Sequence, residues 1–398
     1  MFSNGGFMNY RIVTFLQIGL CFVLMTAYLN CSPMKSSTIL NPTTSTSGDS
    51  DDSSGSGDTV NTIENLTRKQ CLEKPVSACT ADKPCVTDTG NIILPSDVPD
   101  CAQDNPARTF NNADQVTRHF CFYNGSASDS KPRPLVIYLH GGSGNASNMY
   151  GSSLLRAKAE TFSLSPSVNG FHILSLQARN LNGYEIGLSP STHHDAFWWD
   201  FRAPSTNPDM RDLDDIIASI VAKYAVDKTR IYLVGWSEGG MLSQLYGISR
   251  HQTPSVHGIK IAATAIYSAP SPFLWRYSAN EDYCSTNLDF TTQFPIQIIS
   301  RSCDIPCNQE QQDFFGKDAV ANHGTPISLW KDILINTLKD SNAEFSLIDD
   351  DGNPTSSCMP VGNGPNECNQ NHAFQNHVTW PKKSETKMLN FLKNFQSL

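Results

Sequence analysis

A serine between two glycines is the first candidate for chemistry in this 398-residue sequence. The stretch "RIYLVGWSEGGMLSQLYGI" places Ser237 between Gly235 and Gly239, after an apolar run and before a segment of helical character. A tight turn from a strand into a helix lifts a serine hydroxyl above the sheet edge, and the glycines allow neighbouring backbones to approach. We therefore predict that Ser237 is a nucleophile; the alternative is a glycine-rich turn without chemistry.

A serine is a weak nucleophile unless a base takes its proton and an acid orients that base. The acid candidate is Asp304, which follows the apolar run "FPIQIIS"; the alternative is a turn aspartate before Pro306. Two histidines, His372 and His377, lie in what we expect to be a loop before the last helix. We favour His377 as the base because it is nearer to that helix and is followed by "VTWP". The alternative for either histidine is a solvated loop residue.

An acyl transfer also needs N–H donors for the developing oxyanion. The loop "HGGSGNASNM" follows a second apolar run, and Gly142 or Ser143 could supply one backbone N–H. The residue after the nucleophile, Glu238, would supply the other. His140 is a competing base candidate, but it precedes the serine and ends its own strand, so we expect it to hold the loop by a hydrogen bond.

A further cluster of chemically versatile residues lies in "STHHDAFWWDF". His193, His194 and Asp195 could ligate a metal, but no other clustered ligands support such a site, and we predict none. Trp198 and Trp199 are expected to pack a loop; over an active site they could form an apolar wall for an acyl or aromatic group.

Strand-like and helix-like segments alternate from about residue 108 onward, which predicts an α/β fold with a mainly parallel sheet covered by helices on both faces. Such a sheet carries its site at the C-terminal ends of the strands, where Ser237 and Asp304 are expected to meet. The predicted strands are "HFCFYNG", "RPLVIYLHGG", "FHILSLQA", "RIYLVGW", "IKIAATAIYSA", "FPIQIIS" and "AEFSLIDD". The predicted helices are "DMRDLDDIIASIVAKYAV", "GGMLSQLYGISR", "PISLWKDILINTLKD" and "SETKMLNFLKNFQ".

The N-terminal part of the chain has a different character. Residues 1–30 contain an apolar run typical of an export signal or a membrane anchor. "AYLNCSPM" is similar to a bacterial lipobox, which makes Cys31 a candidate for lipidation and membrane tethering at the cell envelope. Residues 31–65 are rich in Ser, Thr, Gly and Asp and are expected to be disordered. A Cys-rich segment, 66–107, precedes the main domain, 108–398.

The cysteine count agrees with export, since disulfides persist in oxidising compartments. Apart from Cys21 and Cys31, five cysteines precede residue 130 and five follow residue 280. If all ten pair within the chain, at least one bridge must join the two groups and fix the Cys-rich segment to the main domain. Cys303 and Cys307 could bridge to each other or elsewhere, and Cys358 and Cys368 could staple the insertion near the C-terminus. The net charge of −9 and the absence of a basic block argue against a nucleic-acid partner.

Two stretches carry a family resemblance: "RPLVIYLHGGSGNASNM" and "DLDDIIASIVAKYAVDKTRIYLVGWSEGGM". They resemble the group of α/β-hydrolases that includes polyhydroxybutyrate depolymerases and feruloyl or acetylxylan esterases. The resemblance covers residues 108–398 and implies an exported serine esterase without a cofactor, acting on a small or polymeric ester. It assigns Ser237, Asp304 and His377 to catalysis, and the backbone of Gly142 and Glu238 to the oxyanion.

The sequence departs from that family at two places. "SRSCD" stands where the family often has a His-Gly pair before the acid, and Asn376 stands where Gly usually precedes the catalytic histidine. The same residues would also serve a peptidase or an acyltransferase, because the triad does not select among these reactions. A third alternative is a surface lipoprotein that keeps the fold without catalysis.

Overall fold

The computed structural model describes residues 98–104, 107–112, 117–125, 131–142, 144–181, 196–199, 207–272, 293–307, 326–337, 340–360 and 362–397. The predictions of the signal, the tether, lipidation at Cys31 and most of the Cys-rich segment lie outside these residues. The same holds for the predictions that concern Ser143, His193, His194 and Asp195.

A nine-stranded sheet forms the centre of the described part of the chain, in the order β1-β2-β4-β3-β7-β8-β9-β10-β11. Strands β4, β3, β7, β8, β9 and β10 are parallel to their neighbours in that series, while β1, β2 and β11 pair antiparallel at the two ends. A separate antiparallel pair joins β5 to β6. The strands are β1 Arg108–Asn111, β2 Thr117–Tyr123, β3 Arg133–Leu139, β4 His172–Leu176, β5 Arg179–Leu181, β6 Ala196–Trp198, β7 Val226–Trp236, β8 Ala263–Tyr267, β9 Ile296–Arg301, β10 Ala343–Ile348 and β11 Pro354–Thr355.

The helices connect these strands. They are α1 Asn148–Gly151, α2 Leu155–Thr161, α3 Pro208–Lys223, α4 Glu238–Gln252, α5 Pro326–Asp332, α6 Gln370–His377 and α7 Glu385–Leu392. A single π-helical turn, Ile333–Thr337, extends α5. No helix among the described residues combines the length and the apolar character needed to cross a bilayer.

The central strand β3 shows why the sheet is covered on both faces. All seven of its residues are buried. Because successive side chains of a strand point to opposite faces, Leu135 and Ile137 join one core cluster and Val136 and Tyr138 join another. The first cluster includes residues of α3 and α4, and the second includes residues of α1, α2 and α7. The α/β fold with a mainly parallel sheet covered by helices on both faces is therefore confirmed.

Helix α3 forms where the amphipathic pattern predicts it. Asn207 caps its first turn, since the side-chain Oδ1 accepts from the N–H of Met210 at 3.0 Å, and Pro208 occupies the first helical position, where no N–H is needed. The apolar stripe is fully or almost fully buried against the sheet and consists of Leu213, Ile216, Ile217 and Ile220. Burying each of these side chains contributes roughly 1.5–3 kcal/mol, which fixes the helix on the sheet despite its polar outer face.

The C-terminal region differs from the prediction. The segment that contains His372 and His377 is the helix α6 and not a loop. Its first turn is capped by Asn369, whose side chain accepts from the N–H of His372 at 2.9 Å. The segment "QNHAFQNH" has too few apolar residues to show helical periodicity. The capping residue Asn369 is therefore the better sequence signal for this helix.

Candidate active site

Ser237 lies on the turn between β7 and α4 with φ +52° and ψ −122°. Non-glycine residues seldom adopt a positive φ, and such strain persists where the surrounding structure enforces it. The N–H of Ser237 donates to the carbonyl of Tyr267 at 2.9 Å, which ties the turn to the end of the next strand. The predicted elbow is present, with its serine at the C-terminal edge of the sheet.

The glycines around Ser237 are required by close backbone contacts. A Cβ added to Gly239 would lie 2.2 Å from the carbonyl oxygens of Leu139 and His140, at the end of β3. A Cβ on Gly235 would lie 2.4 Å from the carbonyl oxygen of Gly239. Real Cβ atoms do not approach other atoms so closely, so packing dictates both glycines: Gly239 against the end of β3, and Gly235 against the first turn of α4.

The structure brings together the three residues predicted to form the triad. Ser237 Oγ lies 2.7 Å from Nε2 of His377, and Nδ1 of the same ring lies 3.0 Å from Oδ1 of Asp304. The His377 side chain is 15% exposed and that of Asp304 is completely buried. The arrangement gives the serine a base whose far nitrogen faces a carboxylate.

Asp304 is buried among hydrogen-bond donors, as a charged carboxylate requires. Its Oδ1 accepts from the N–H of Ile305 at 2.7 Å and from the hydroxyl of Ser268 at 2.8 Å, in addition to the His377 contact. Its Oδ2 accepts from Ser300 Oγ at 3.3 Å. These donors fix the carboxylate in one orientation toward the imidazole.

The backbone of His377 is held by side chains from three adjacent strands. At the end of β7, the indole N–H of Trp236 donates to the His377 carbonyl at 2.8 Å. From β8, the Tyr267 hydroxyl donates to the Asn376 carbonyl at 2.6 Å, and from β9 Arg301 Nη1 donates to the same carbonyl at 2.9 Å. Burial, and then the charge of Asp304, raise the pKa of Tyr267 well above its ordinary value, so this phenol keeps the proton that it donates. The sheet thus positions the C-terminal end of α6, where a cation is also favoured by the helix dipole.

The other histidine of α6 is placed elsewhere. His372 Nε2 lies 2.7 Å from Oδ2 of Asp350, and its side chain is 33% exposed. Asp350 also accepts from the amide of Asn376 at 2.7 Å, and that amide reaches the Cys303 carbonyl at 2.6 Å. Asn376 therefore links α6 to the loop that carries the acid.

The loop after β3 packs directly against the elbow. A Cβ on Gly141 would lie 3.2 Å from Ser237 Cβ, and one on Gly142 would lie 2.9 Å from the carboxyl carbon of Glu238. Glu238 is the first residue of α4, and the amides of a first helical turn are not used by the helix itself. Of the two residues predicted to hold an oxyanion, Glu238 thus follows the serine directly, and Gly142 lies against the Glu238 side chain.

His140 is occupied in holding this loop, as predicted. It is fully buried, its Nδ1 lies 2.7 Å from the Gly141 carbonyl, and its Nε2 accepts from the N–H of Ala178 at 3.1 Å. Burial lowers the pKa of His140 to about 4. The indole of Trp199 donates to the His140 carbonyl at 2.7 Å and is itself buried, so this tryptophan packs the loop; the Trp198 side chain lies outside the described part of the chain.

Two disulfides surround the acid. Cys303 is bonded to Cys368 and Cys307 to Cys358, so the two cysteines that flank Asp304 do not bridge to each other. Both bridges join the loop after β9 to the segment between β10 and α6. They therefore link the acid to the region that carries the base. A third bridge, Cys101–Cys121, joins the end of the Cys-rich segment to β2.

Ser268 also contacts the base and the acid, although no sequence motif identified it. Its hydroxyl lies 2.6 Å from Nδ1 of His377 and 2.8 Å from Oδ1 of Asp304. It follows β8 directly, and Asp304 lies three residues after the end of β9; this position past a buried strand is the signal that could have identified Ser268. Within the part of the chain that the structure describes, no group of three or more His, Cys, Asp or Glu side chains is placed to hold a metal ion.

Comparison with known proteins returns no match to a protein-family model and none to a curated protein sequence. Among solved structures, the chain is similar to a thermostable esterase at 15% identity, with 74% of this chain and 64% of that one covered and a TM-score of 0.41. Porphyromonas gingivalis dipeptidyl peptidase 4 is similar at 12% identity, with 74% and 36% covered and a TM-score of 0.41. A ferulic acid esterase is similar at 13% identity, with 73% and 97% covered and a TM-score of 0.45. The chain thus spans under two thirds of the length of the first two proteins.

Proposed function

We propose that this protein is a serine hydrolase of carboxylic esters, with Ser237 as nucleophile, His377 as base and Asp304 as the orienting acid. The observation that carries the proposal is the continuous hydrogen-bonded chain from Ser237 Oγ through the His377 ring to Asp304, built on a serine with φ +52°. Strained backbone at a serine that contacts a histidine nitrogen has a ready explanation in a nucleophile elbow.

The mechanism follows from these contacts. His377 Nε2 takes the proton of Ser237 as Oγ attacks the ester carbonyl, and the carbonyl oxygen becomes an oxyanion held by the N–H groups of Gly142 and Glu238. The alkoxide leaves with the proton from His377, and an acyl-enzyme remains on Oγ. Water then gives its proton to the same nitrogen and attacks the acyl carbon. The acid product departs and Oγ recovers its proton.

Replacement of Ser237 tests this proposal. Ser237→Ala should reduce turnover of p-nitrophenyl acetate by roughly 10⁴-fold or more, since loss of a triad member removes most of the chemical rate enhancement. Ser249→Ala, a buried serine near the far end of the same helix, is the matched control and should keep wild-type activity. Turnover retained in Ser237→Ala would contradict the nucleophile assignment. Matched ester and amide substrates separate an esterase from a peptidase on the same residues.

The proposal extends to the substrate group and the location. The most family-specific stretch, "KYAVDKTRIYLVGWSEGG", spans the end of α3, strand β7 and the elbow, and its resemblance supports an esterase of the polyhydroxybutyrate depolymerase and feruloyl esterase type. Three disulfides support an oxidising compartment outside the cytosol. With the apolar N-terminal run and Cys31, they favour an exported protein tethered to the cell envelope. Loss of membrane association in Cys31→Ala would support lipidation; unchanged association would contradict it.

A further inference from the structure

Ser268 has an unusual backbone and an unusual position. It is fully buried and has φ +55°, one of three non-glycine residues with a positive φ in the described part of the chain. Its N–H donates to the Ile299 carbonyl of β9 at 2.8 Å, while the preceding carbonyl, that of Tyr267, accepts from the N–H of Ser237. The residue is therefore fixed at the junction of β7, β8 and β9, where the elbow and the acid loop meet.

The hydrogen-bond partners of the Ser268 hydroxyl determine where its proton points. Ser268 Oγ carries a single proton and lies 2.8 Å from Oδ1 of Asp304, which as a carboxylate can only accept. The proton of Ser268 therefore points to Asp304, and Oγ offers a lone pair to Nδ1 of His377 at 2.6 Å. The opposite arrangement would place a bare Nδ1 against the carboxylate oxygen 3.0 Å away.

We propose that Ser268 is a positioning residue, which together with Asp304 keeps the proton of His377 on Nδ1 and its lone pair on Nε2, toward Ser237. This inference rests on the proposed function of the same site. The Nδ1–H faces two acceptors at once, so the ring keeps its tautomer and orientation in the resting state. When Nε2 takes the serine proton, the same two oxygens face the resulting cation. Ser268 acts through His377 and does not contact the substrate.

The positive φ separates this role from a purely structural one. Glycine adopts φ +55° without strain, whereas alanine keeps the strain of serine without its hydroxyl. If the position served only the backbone turn, Ser268→Gly would be at least as active as the wild type. If the hydroxyl positions the imidazole, Ser268→Gly and Ser268→Ala lose activity alike.

The experiment measures kcat and KM for p-nitrophenyl acetate in Ser268→Ala and Ser268→Gly, with thermal unfolding as a check on folding. Both variants should lower kcat roughly 10- to 100-fold, the range for one hydrogen bond in a charged network, and leave KM within about twofold. Ser175→Ala is the matched control: this buried serine on β4 also loses one hydrogen bond, to the Ala146 carbonyl at 2.8 Å, and should keep wild-type kcat.

A double-mutant cycle completes the test. In an Asp304→Asn background, Ser268→Ala should add less than about threefold to the loss, because residues that act through the same ring are not independent. Three results would each overturn the inference. They are a wild-type kcat in both Ser268 variants, a loss of kcat/KM that comes from a rise in KM alone, and fully multiplicative effects of Ser268→Ala and Asp304→Asn on kcat.

Labelling by a fluorophosphonate distinguishes failure of this inference from failure of the proposed function. If Ser237 reacts at the wild-type rate in Ser268→Ala, only the positioning role fails. If Ser237 does not react in the wild type, the proposed function fails.

Discussion

Ser237 and Ser268 face the two nitrogens of the same imidazole, and each has a positive φ. Both follow the last residue of a parallel strand, and Trp236 and Tyr267 at those strand ends hold the backbone beside His377. At the end of each of these two strands, one residue holds the backbone at the end of α6 and the next residue contacts the imidazole ring. Ser237 could be predicted because its glycines form a motif. Ser268 has no motif, since its role arises only where three strands come side by side.

His140 provides a residue-scale prediction for stability. Its pKa is lowered from the ordinary 6.5 to about 4 by burial, so the unfolded chain binds a proton between these values and the folded protein does not. The stability that this histidine contributes is complete above pH 6.5 and is lost as the pH falls toward 4, by about 3 kcal/mol over the window. Urea unfolding at pH 7 and pH 5 should show a loss of about 2 kcal/mol from this group in the wild type.

The comparison variant is His140→Asn, which carries no titrating group at this position. Its unfolding free energy should change less between pH 7 and pH 5 than that of the wild type, while other titrating groups such as His172 affect both proteins equally. The same pH dependence in the two proteins would show that His140 titrates normally in the folded state.

At the scale of elements, the sequence predicted the buried strands and the amphipathic helices well, because continuous apolar runs and apolar residues at 3.6-residue spacing are visible in it. It missed β1, a four-residue edge strand, and it placed His377 in a loop instead of at the end of α6. Helix α6 has few apolar residues, and its end is fixed by Arg301 and Tyr267 from distant strands. Local propensity does not contain these contacts, so the capping residue Asn369 is the main sign of this helix in the sequence.

The elbow makes a prediction at this scale. Gly239→Ala should destabilise the protein by more than about 3 kcal/mol or prevent folding, since its Cβ would lie 2.2 Å from two carbonyl oxygens of the rigid β3 end. Gly151→Ala in α1 is the control, because nothing lies within 4 Å of the added Cβ. That variant should match or slightly exceed wild-type stability in chemical denaturation. Equal stability of the two variants would show that the elbow does not need its glycine.

The whole molecule is constrained by its disulfides. The bridges Cys101–Cys121, Cys303–Cys368 and Cys307–Cys358 each remain within one of the two groups of cysteines. Three cysteines of the first group and one of the second are left once Cys21 and Cys31 are set aside: Cys71, Cys79, Cys85 and Cys284. If all four form bridges within the chain, Cys284 must pair with one of the other three.

Peptide mapping of the full-length protein without reduction checks this prediction. It should find one peptide pair that joins Cys284 to the Cys-rich segment, together with the three bridges seen here. Such a bridge would fix the segment 66–107 to the main domain. The sequence predicted the fold of the main domain but not which cysteine joins the two. A free thiol at Cys284 in the fully oxidised protein would contradict the pairing.

The central claim is that Ser237 is the nucleophile and that His377, not His372, activates it. A fluorophosphonate should give one adduct, located on Ser237 by peptide mapping. The labelling rate should fall by roughly 10² or more in His377→Ala, the range for a general base, and stay near wild type in His372→Ala. An adduct on another serine, or an equal loss of rate in the two histidine variants, would contradict the account.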